Sequence, residues 1–483
     1  MAMAEKAPWE SAAAHEQLFV LITGANSGVG LGTAQRLVDE FLATRPATAH
    51  LVLLATTRSA AKSRQAIRAV RAHARRAAGG DDAAAARIHV LSLPLDLCDL
   101  AGVRAFARRL VRGRVGNPPG VDDDDDDVLR DVRVPRLDCV IFNAAYGGWE
   151  GCDYPRAVWS MLTKGLVQSV TWPDFKNALP TALLNDQRRG DGCFPAKPLL
   201  GEVFTACVFG HYVLAHELLP LLSRRPSSSP PLAPARIVWS SSLEAVARVF
   251  DPDDLQCLGG PAAYESAKRL TDVLALTCSL PAARPYSSRW LTMGRDDRDG
   301  DDEKNRVQPP RVYLSHPGIV ASTLFPVPWF LFWAYELALA FSRWLGSPWH
   351  TVDGYSGAKA AVWLALEPQD ALDDARAHRV KWGSSSDRHR RAHVKKTEVE
   401  GWGWEGRVQV VGAHDDDDDI SPHQVLRKST GRKHGVVDVT AEDIVRFEEL
   451  GAACWRDMEE LRATWEDILD RQESDRQESA KGA

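Results

Sequence analysis

The chain is predicted to be an α/β protein, a doubly wound parallel sheet with helices on both faces. Three observations predict it. Short apolar runs alternate with helical stretches between Leu18 and Gly318. Each run is nearly continuous in its apolar character, as strands buried on both faces are. The first run ends in a glycine-punctuated turn that opens a helix, the βα junction of a parallel unit.

The elements follow in order. "LFVLITG" (18–24) is the first strand, and a helix over roughly 28–44 follows its turn. "HLVLLAT" (50–56), an Ala/Arg-rich helix (59–78) and "RIHVLSL" (87–93) come next. A helix after Asp99 leads to "LDCVIFN" (137–143). "GEVFTACVFGHYVLAHELLPLL" reads as a long buried helix, "RIVWSSS" as a fifth strand, "AAYESAKRLTDVLALTC" as a helix and "RVYLSHPG" as a sixth strand. Together they place the α/β domain over 18–384.

Three stretches rich in Asp, Arg, Gly, Ser or Pro interrupt the pattern, at about 114–133, 284–309 and 385–436, and read as disordered surface insertions. The last, a low-complexity segment, precedes a C-terminal helical segment over 437–471. Thr440 with Asp443 suits a capping box there, and Phe447, Cys454, Met458, Leu461, Trp465 and Ile468 form an apolar stripe. Such a stripe implies packing and no chemistry.

The composition excludes several function classes. A net charge of −6 over 483 residues offers no basic excess, so nucleic acid is not an expected partner. The eight cysteines show no CxxC and no His/Cys cluster, which argues against a zinc site and a disulfide framework and suits a reducing compartment. The first residues carry no apolar core of a secretory signal, so none is expected.

"TGANSGVG" (Thr23 to Gly30) lies between strand and helix, the context a phosphate-binding turn needs. Gly24 allows the sharp turn, while Gly28 and Gly30 let backbone approach a pyrophosphate. Asn26, Ser27 and Val29 fill the turn, and the helix start offers unpaired N–H groups. This is a Rossmann-type arrangement. The second strand ends "LLATTRSAAKS", with Arg58 and Lys62 and no carboxylate in reach. A guanidinium there suits the 2′-phosphate of NADPH better than the free ribose of NADH. Asp96, after the third strand, is placed to meet the adenine, and Asn143 of "NAAYGG" ends the fourth strand facing the cofactor.

In "AYESAKRLT", Tyr264 and Lys268 stand one helical turn apart. Such a pair is either an ordinary surface contact or an acid whose proton is loosened by the adjacent cation. The order TGANSGVG, NAA, a serine-ended strand, YESAK and HPGIVAS resembles the short-chain dehydrogenase/reductase family over roughly 18–384. The resemblance implies that Ser242, Tyr264 and Lys268 are catalytic, with Ser241 the alternative serine if the register is shifted. It further implies that Lys268 binds the nicotinamide ribose and that Val320 and Ser322 touch the carboxamide and phosphate. Cys207 departs from the family pattern: it stands where an asparagine usually holds a relay water, so the relay is expected to use backbone instead.

The stretches "GEVFTACVFGHYVLAHELLPLL", "DPDDLQCLGGPAAYESAKRLTDVLAL" and "HPGIVASTLFPVPWFLFWAYELALAFSRWLG" are similar to the 3-ketosteroid (3-keto sterol) reductases. That narrower resemblance implies NADPH-dependent reduction of a 4-methyl 3-keto sterol to its 3β-hydroxy form in ergosterol biosynthesis. It implies a sterol substrate, other sterol C-4 demethylation enzymes and the sterol cyclase as partners, and the endoplasmic reticulum membrane or lipid droplets as location. Residues 324–345, crowded with Leu, Phe and Trp but broken by Pro326, Pro328, Glu336 and Arg343, read as an apolar segment lying on a membrane surface or lidding an apolar pocket rather than spanning. Glu244, Tyr146 and Trp149 are expected on the pocket wall. Reduction of another lipid carbonyl, such as a 17-ketosteroid or fatty aldehyde, and a degenerate scaffold role in the C-4 demethylation complex remain the alternatives.

Overall fold

A computed structural model describes residues 6–120, 129–179, 184, 198–225, 232–292, 307–322, 324–325, 327–408 and 431–482. Eight strands form the main sheet: β1 (Gln17–Ile22), β2 (His50–Thr57), β3 (Ile88–Pro94), β4 (Cys139–Phe142), β7 (Arg236–Ser240), β8 (Arg311–His316), β9 (Lys381–Ser386) and β10 (Ala392–Thr397). Two more, β5 (Trp149–Cys152) and β6 (Lys176–Ala178), pair antiparallel in a separate small ribbon. The order across the main sheet is β10-β9-β8-β7-β4-β1-β2-β3, with every pairing parallel except β9 with β10. This is the expected doubly wound sheet, and its order reverses between β1 and β4, where such sheets open a crevice.

Side chains alternate across the sheet and load two cores. Phe19 and Leu21 of β1 join one, with Val52 and Leu54 of β2. Val20 and Ile22 join the other, with Leu51 and Leu53. The second core is closed by helices α1 (Gly28–Thr44), α2 (Ala60–Ala77) and α7 (Lys359–Leu366). The first is closed by α3 (Leu100–Arg112), by α4 and by α5 (Ala263–Thr277). α4 runs over Glu202–Phe204, a π-helical turn Thr205–Phe209 and Gly210–Glu217. The remaining helix of interest to the site, α6 (Phe332–Trp344), lies outside both cores.

The C-terminal helix, α8 (Ala441–Gly482), extends beyond the expected 471. Its capping box forms as read: the Asp443 N–H donates to Thr440 Oγ1 at 3.1 Å and the Thr440 N–H to Asp443 Oδ2 at 3.0 Å. Phe447, Cys454, Met458 and Trp465 are buried, with Leu461 and Ile468 packed alongside. Trp455 inserts between α5 and Trp290, and its Nε1–H donates to Leu274 O at 3.1 Å.

The second and third insertions begin later than expected, and residues 293–306 of the second lie outside the described ones. Val115 bridges Val132, closing the ends of the first, and its residues 121–128 lie outside the described ones. The stretch from 284 begins as a helix, Arg284–Trp290, whose Trp290 is buried and donates Nε1–H to Tyr212 O at 2.9 Å. The largest correction concerns 385–436. Its first residues complete β9 and form β10, so the sheet continues to Thr397, past the expected boundary at 384. "KWGSSS" has no apolar run to betray a strand, yet all of it is buried. The serines are accommodated because each hydroxyl donates to a carbonyl: Ser384 to Gly357, Ser385 to His393 and Ser386 to His350. Residues 409–430 lie outside the described ones.

The expected apolar segment becomes a short 3₁₀ turn and α6. Among the described residues, no helix is long and apolar enough to cross a membrane.

Candidate active site

The crevice between β1 and β4 is shaped by contacts that side chains would block. Gly24 has φ of 68°, a left-handed conformation natural only to glycine. A Cβ on Gly30 would lie 2.2 Å from Gly24 O and 2.6 Å from Asn143 Nδ2. Ser27 takes the N-cap position of α1 in extended backbone, but its side chain makes no capping bond, so the first N–H groups of the helix stay available. Asn26 Nδ2–H donates to Ser27 Oγ at 3.3 Å, and Gly28 and Val29 begin the helix. Asn143 donates Nδ2–H to Thr23 O at 3.1 Å, tying the end of β4 to the turn.

The other expected cofactor residues ring this crevice. Arg58 is exposed just past β2, with Lys62 half-buried in the first turn of α2. Ser59 caps that helix and no carboxylate occupies the strand end. Asp96 is exposed beyond β3 and accepts the Cys98 N–H at 3.0 Å. Val320 bridges Val352 beyond β8, and Ser322 is half-buried in the following loop. This donor set fits a dinucleotide: a tight glycine turn, an uncapped helix start and a cation at the far end.

Across the crevice, β7 and α5 bring Ser242, Tyr264 and Lys268 together. Tyr264 and Lys268 are both buried on α5. Ser242 follows the end of β7; its hydroxyl accepts the Glu244 N–H at 3.1 Å and lies close enough to the Tyr264 phenol to favour its ionised form. Ser241 points the other way, donating Oγ–H to Asp272 Oδ1 at 2.5 Å. Ser242, and not Ser241, thus lies on the side of the phenol. Lys268 Nζ donates to Ser240 O at 2.7 Å and sits 5.6 Å from the centre of the Tyr264 ring.

The electrostatics correct one expectation. Burial pushes the Tyr264 phenol well above its ordinary range; the Glu244 carboxylate and Cys207 add to this, while Ser242 pulls the other way. Desolvation is the largest of these influences, and the phenol is shifted away from neutrality rather than toward it. Burial also lowers the Lys268 ammonium, opposed by Cys207 and Asp272.

Cys207 sits in the π-helical turn of α4, fully enclosed. Its sulfur accepts the Tyr146 N–H and donates to Tyr146 O, both at 3.4 Å. Burial raises the thiol, so it remains neutral and clamps the chain leaving β4. One turn on, buried His211 bonds Thr23 Oγ1 through Nε2 at 2.9 Å and is pushed down to about 3 by burial.

Sequence reasoning missed two groups of residues. The first is a buried ion pair under the serines: Lys381 Nζ lies 2.6 Å from Asp272 Oδ2 and donates to Ser242 O at 2.7 Å, with side chains 3% and 1% exposed. Asp272 stands one turn beyond Lys268 on α5, a spacing that could have flagged it; Lys381 sits in a serine-rich strand and carries no signal. The second is Lys176 on β6, paired with Glu244 at 2.7 Å and with Glu265. Of the three expected wall residues, Trp149 meets the Tyr264 ring edge-on at 4.7 Å between centres. Glu244 is largely enclosed against Lys176, and Tyr146 is exposed at the rim.

Comparisons with known proteins bear on this site. No protein-family model matches the chain. It is 58% identical over 478 residues to the 3-keto-steroid reductase of Gibberella zeae, covering 96% of this chain and 97% of that protein. It is 40% identical over 471 residues to the 3-keto-steroid reductase of Aspergillus fumigatus, covering 95% and 96%. The relative of the same name in Schizosaccharomyces pombe is 28% identical over 390 residues, covering 79% and 90%. With its length matched almost end to end by the first two, the chain belongs to the 3-keto-steroid reductase family.

Proposed function

We propose that this protein reduces the 3-oxo group of a sterol to the 3β-alcohol with NADPH as donor, its substrate being a 4-methyl 3-keto sterol left after C-4 decarboxylation in ergosterol biosynthesis. One observation carries the reading: a serine hydroxyl, a buried phenol and a buried ammonium converge across the crevice from a glycine turn and an uncapped helix start. The names of the fungal relatives supply the substrate class.

Gly24, Asn26, Ser27, Gly28, Val29 and Gly30 would hold the pyrophosphate, and Arg58 with Lys62 the 2′-phosphate. Asp96 would meet the adenine; Asn143, Lys268, Val320 and Ser322 would hold the nicotinamide end. Bound NADPH supplies the hydride. Ser242 orients the substrate carbonyl by hydrogen bonding, and Tyr264 delivers a proton to the developing alkoxide. Because burial keeps the phenol protonated, it is a donor throughout the neutral range. The phenolate left behind is favoured by Ser242 and by the Lys268 ammonium. The Cys207 thiol, committed to the Tyr146 backbone, takes no part in proton supply. A relay water held by backbone carbonyls serves in its place.

The same reading extends to the surroundings. Trp333, Leu337, Phe341 and Trp344 recur along one face of α6, exposed by 67%, 62%, 47% and 62%. Leu339, Ser342 and Arg343 face inward. An amphipathic helix with aromatic residues outward suits the interface of a membrane, in keeping with a sterol drawn from the bilayer. We place the protein on the endoplasmic reticulum membrane or lipid droplets, alongside the C-4 demethylation enzymes and the sterol cyclase. Incubation with NADPH and a 4-methyl 3-keto sterol should yield the 3β-alcohol by product analysis. Turnover of other lipid ketones without this conversion would overturn the substrate assignment.

A further inference from the structure

The β5–β6 ribbon covers the Tyr264 ring, and one buried cation fastens it there. Lys176, with a side chain 4% exposed, projects from β6 between two carboxylates. Glu244 stands two residues after Ser242, and Glu265 directly after Tyr264. The ammonium also lies 3.9 Å above the Trp149 ring and 5.6 Å from the Tyr264 ring centre. A single side chain therefore cross-links both segments that carry the proposed catalytic groups to the ribbon above them. Burying an ammonium between carboxylates carries a desolvation penalty that an apolar contact would avoid, so mere closure of the ribbon does not explain it.

We infer that Lys176 is a positioning residue for the reduction, holding Trp149 over the phenol and balancing the two carboxylates that the phenol faces. This rests on the reading of Tyr264 as the proton donor. The charged and titratable groups around that phenol are Glu244 from the loop after β7, Glu265 and Lys268 from α5, Cys207 from α4 and Lys176 from β6. Tyr335 of α6 lies within electrostatic reach of Glu244. Without Lys176, Glu265 and the buried Glu244, whose carboxyl burial already pushes up, would lose their shared cation beside the group that must become a phenolate.

The test is the pH dependence of kcat/KM for the full chain with NADPH and a 4-methyl 3-keto sterol, whose basic limb reports the proton donor. Lys176→Met should lower kcat, leave the NADPH Kd unchanged and move the basic limb up by about one pH unit. Glu265→Gln should move it down by a comparable amount, and Lys176→Arg should restore the wild-type limb. The opposite signs separate a charge effect from loss of packing, which would move neither limb. Should Lys176→Met fail to fold, Glu265→Gln decides alone. Basic limbs that coincide with the wild type in every folded variant would overturn the inference. Tyr264→Phe distinguishes that outcome from failure of the underlying reading: if it abolishes turnover while the limbs stay fixed, only the role of Lys176 is lost, whereas retained turnover removes Tyr264 itself.

Discussion

The crevice between β1 and β4 and the edge made by β9 and β10 flank the same helix, α5, but are built from different materials. The crevice is assembled from a chain-local glycine turn and helix start, with Asn143 brought in from the end of β4 and the closest approach lying between Gly30 and Gly24. The far edge carries a buried long-range ion pair, Lys381 with Asp272, shared with the Ser242 carbonyl. A binding surface for phosphates needs exposed backbone, so its residues must be small. A brace beneath catalytic groups can be charged, provided that every charge finds a partner. The first region should fail in binding when altered, and the second in stability.

Gly30→Ala should give the largest effect. The added carbon would meet backbone oxygen at 2.2 Å, so dinucleotide binding is expected to vanish in fluorescence titration, with a loss of stability of about 1–3 kcal/mol from overpacking, smaller than that of Lys381→Met. A variant that still binds NADPH with wild-type affinity would break the contrast from one side. Lys381→Met tests the other side. It strands a buried carboxylate, and urea denaturation should register a loss of about 3–5 kcal/mol. Lys381→Met combined with Asp272→Leu should recover only part of it, because Asp272 also accepts from Ser241 and faces the buried Arg269 guanidinium. If the single variant is as stable as the wild type, the brace has no energetic weight.

These two regions also differ in how far the sequence disclosed them. The glycine turn, Asn143, Ser242, Tyr264 and Lys268 lie in short motifs whose spacing reflects local backbone geometry, and the sheet brings them together as expected. Lys381 and Lys176 act on residues 109 and 68 positions away. No local pattern encodes such contacts. β9 was hidden for a related reason: serines satisfied by carbonyls let a polar run occupy the interior. The direction of the phenol's shift is illegible for the same reason, since a sequence reveals the neighbouring lysine but not the burial that pushes the phenol up.

Smaller effects sharpen the same contrast. Arg58→Ala, at the outer end of the crevice, should weaken NADPH by about 1.5–3 kcal/mol, the range for a charged hydrogen bond, and leave NADH nearly unchanged. Equal losses for both dinucleotides would remove Arg58 from 2′-phosphate recognition. Thr440→Ala, remote from the site, removes the cap of the C-terminal helix and should cost about 1 kcal/mol with no change in KM. A changed KM would link α8 to the site after all.

The most direct measurement follows NADPH oxidation in the presence of a 4-methyl 3-keto sterol for the wild type and for Tyr264→Phe, with the NADPH Kd determined for both. Turnover should fall by about 10²–10⁴-fold in the variant while cofactor affinity holds. Sterol reduction at the wild-type rate by Tyr264→Phe would contradict the account.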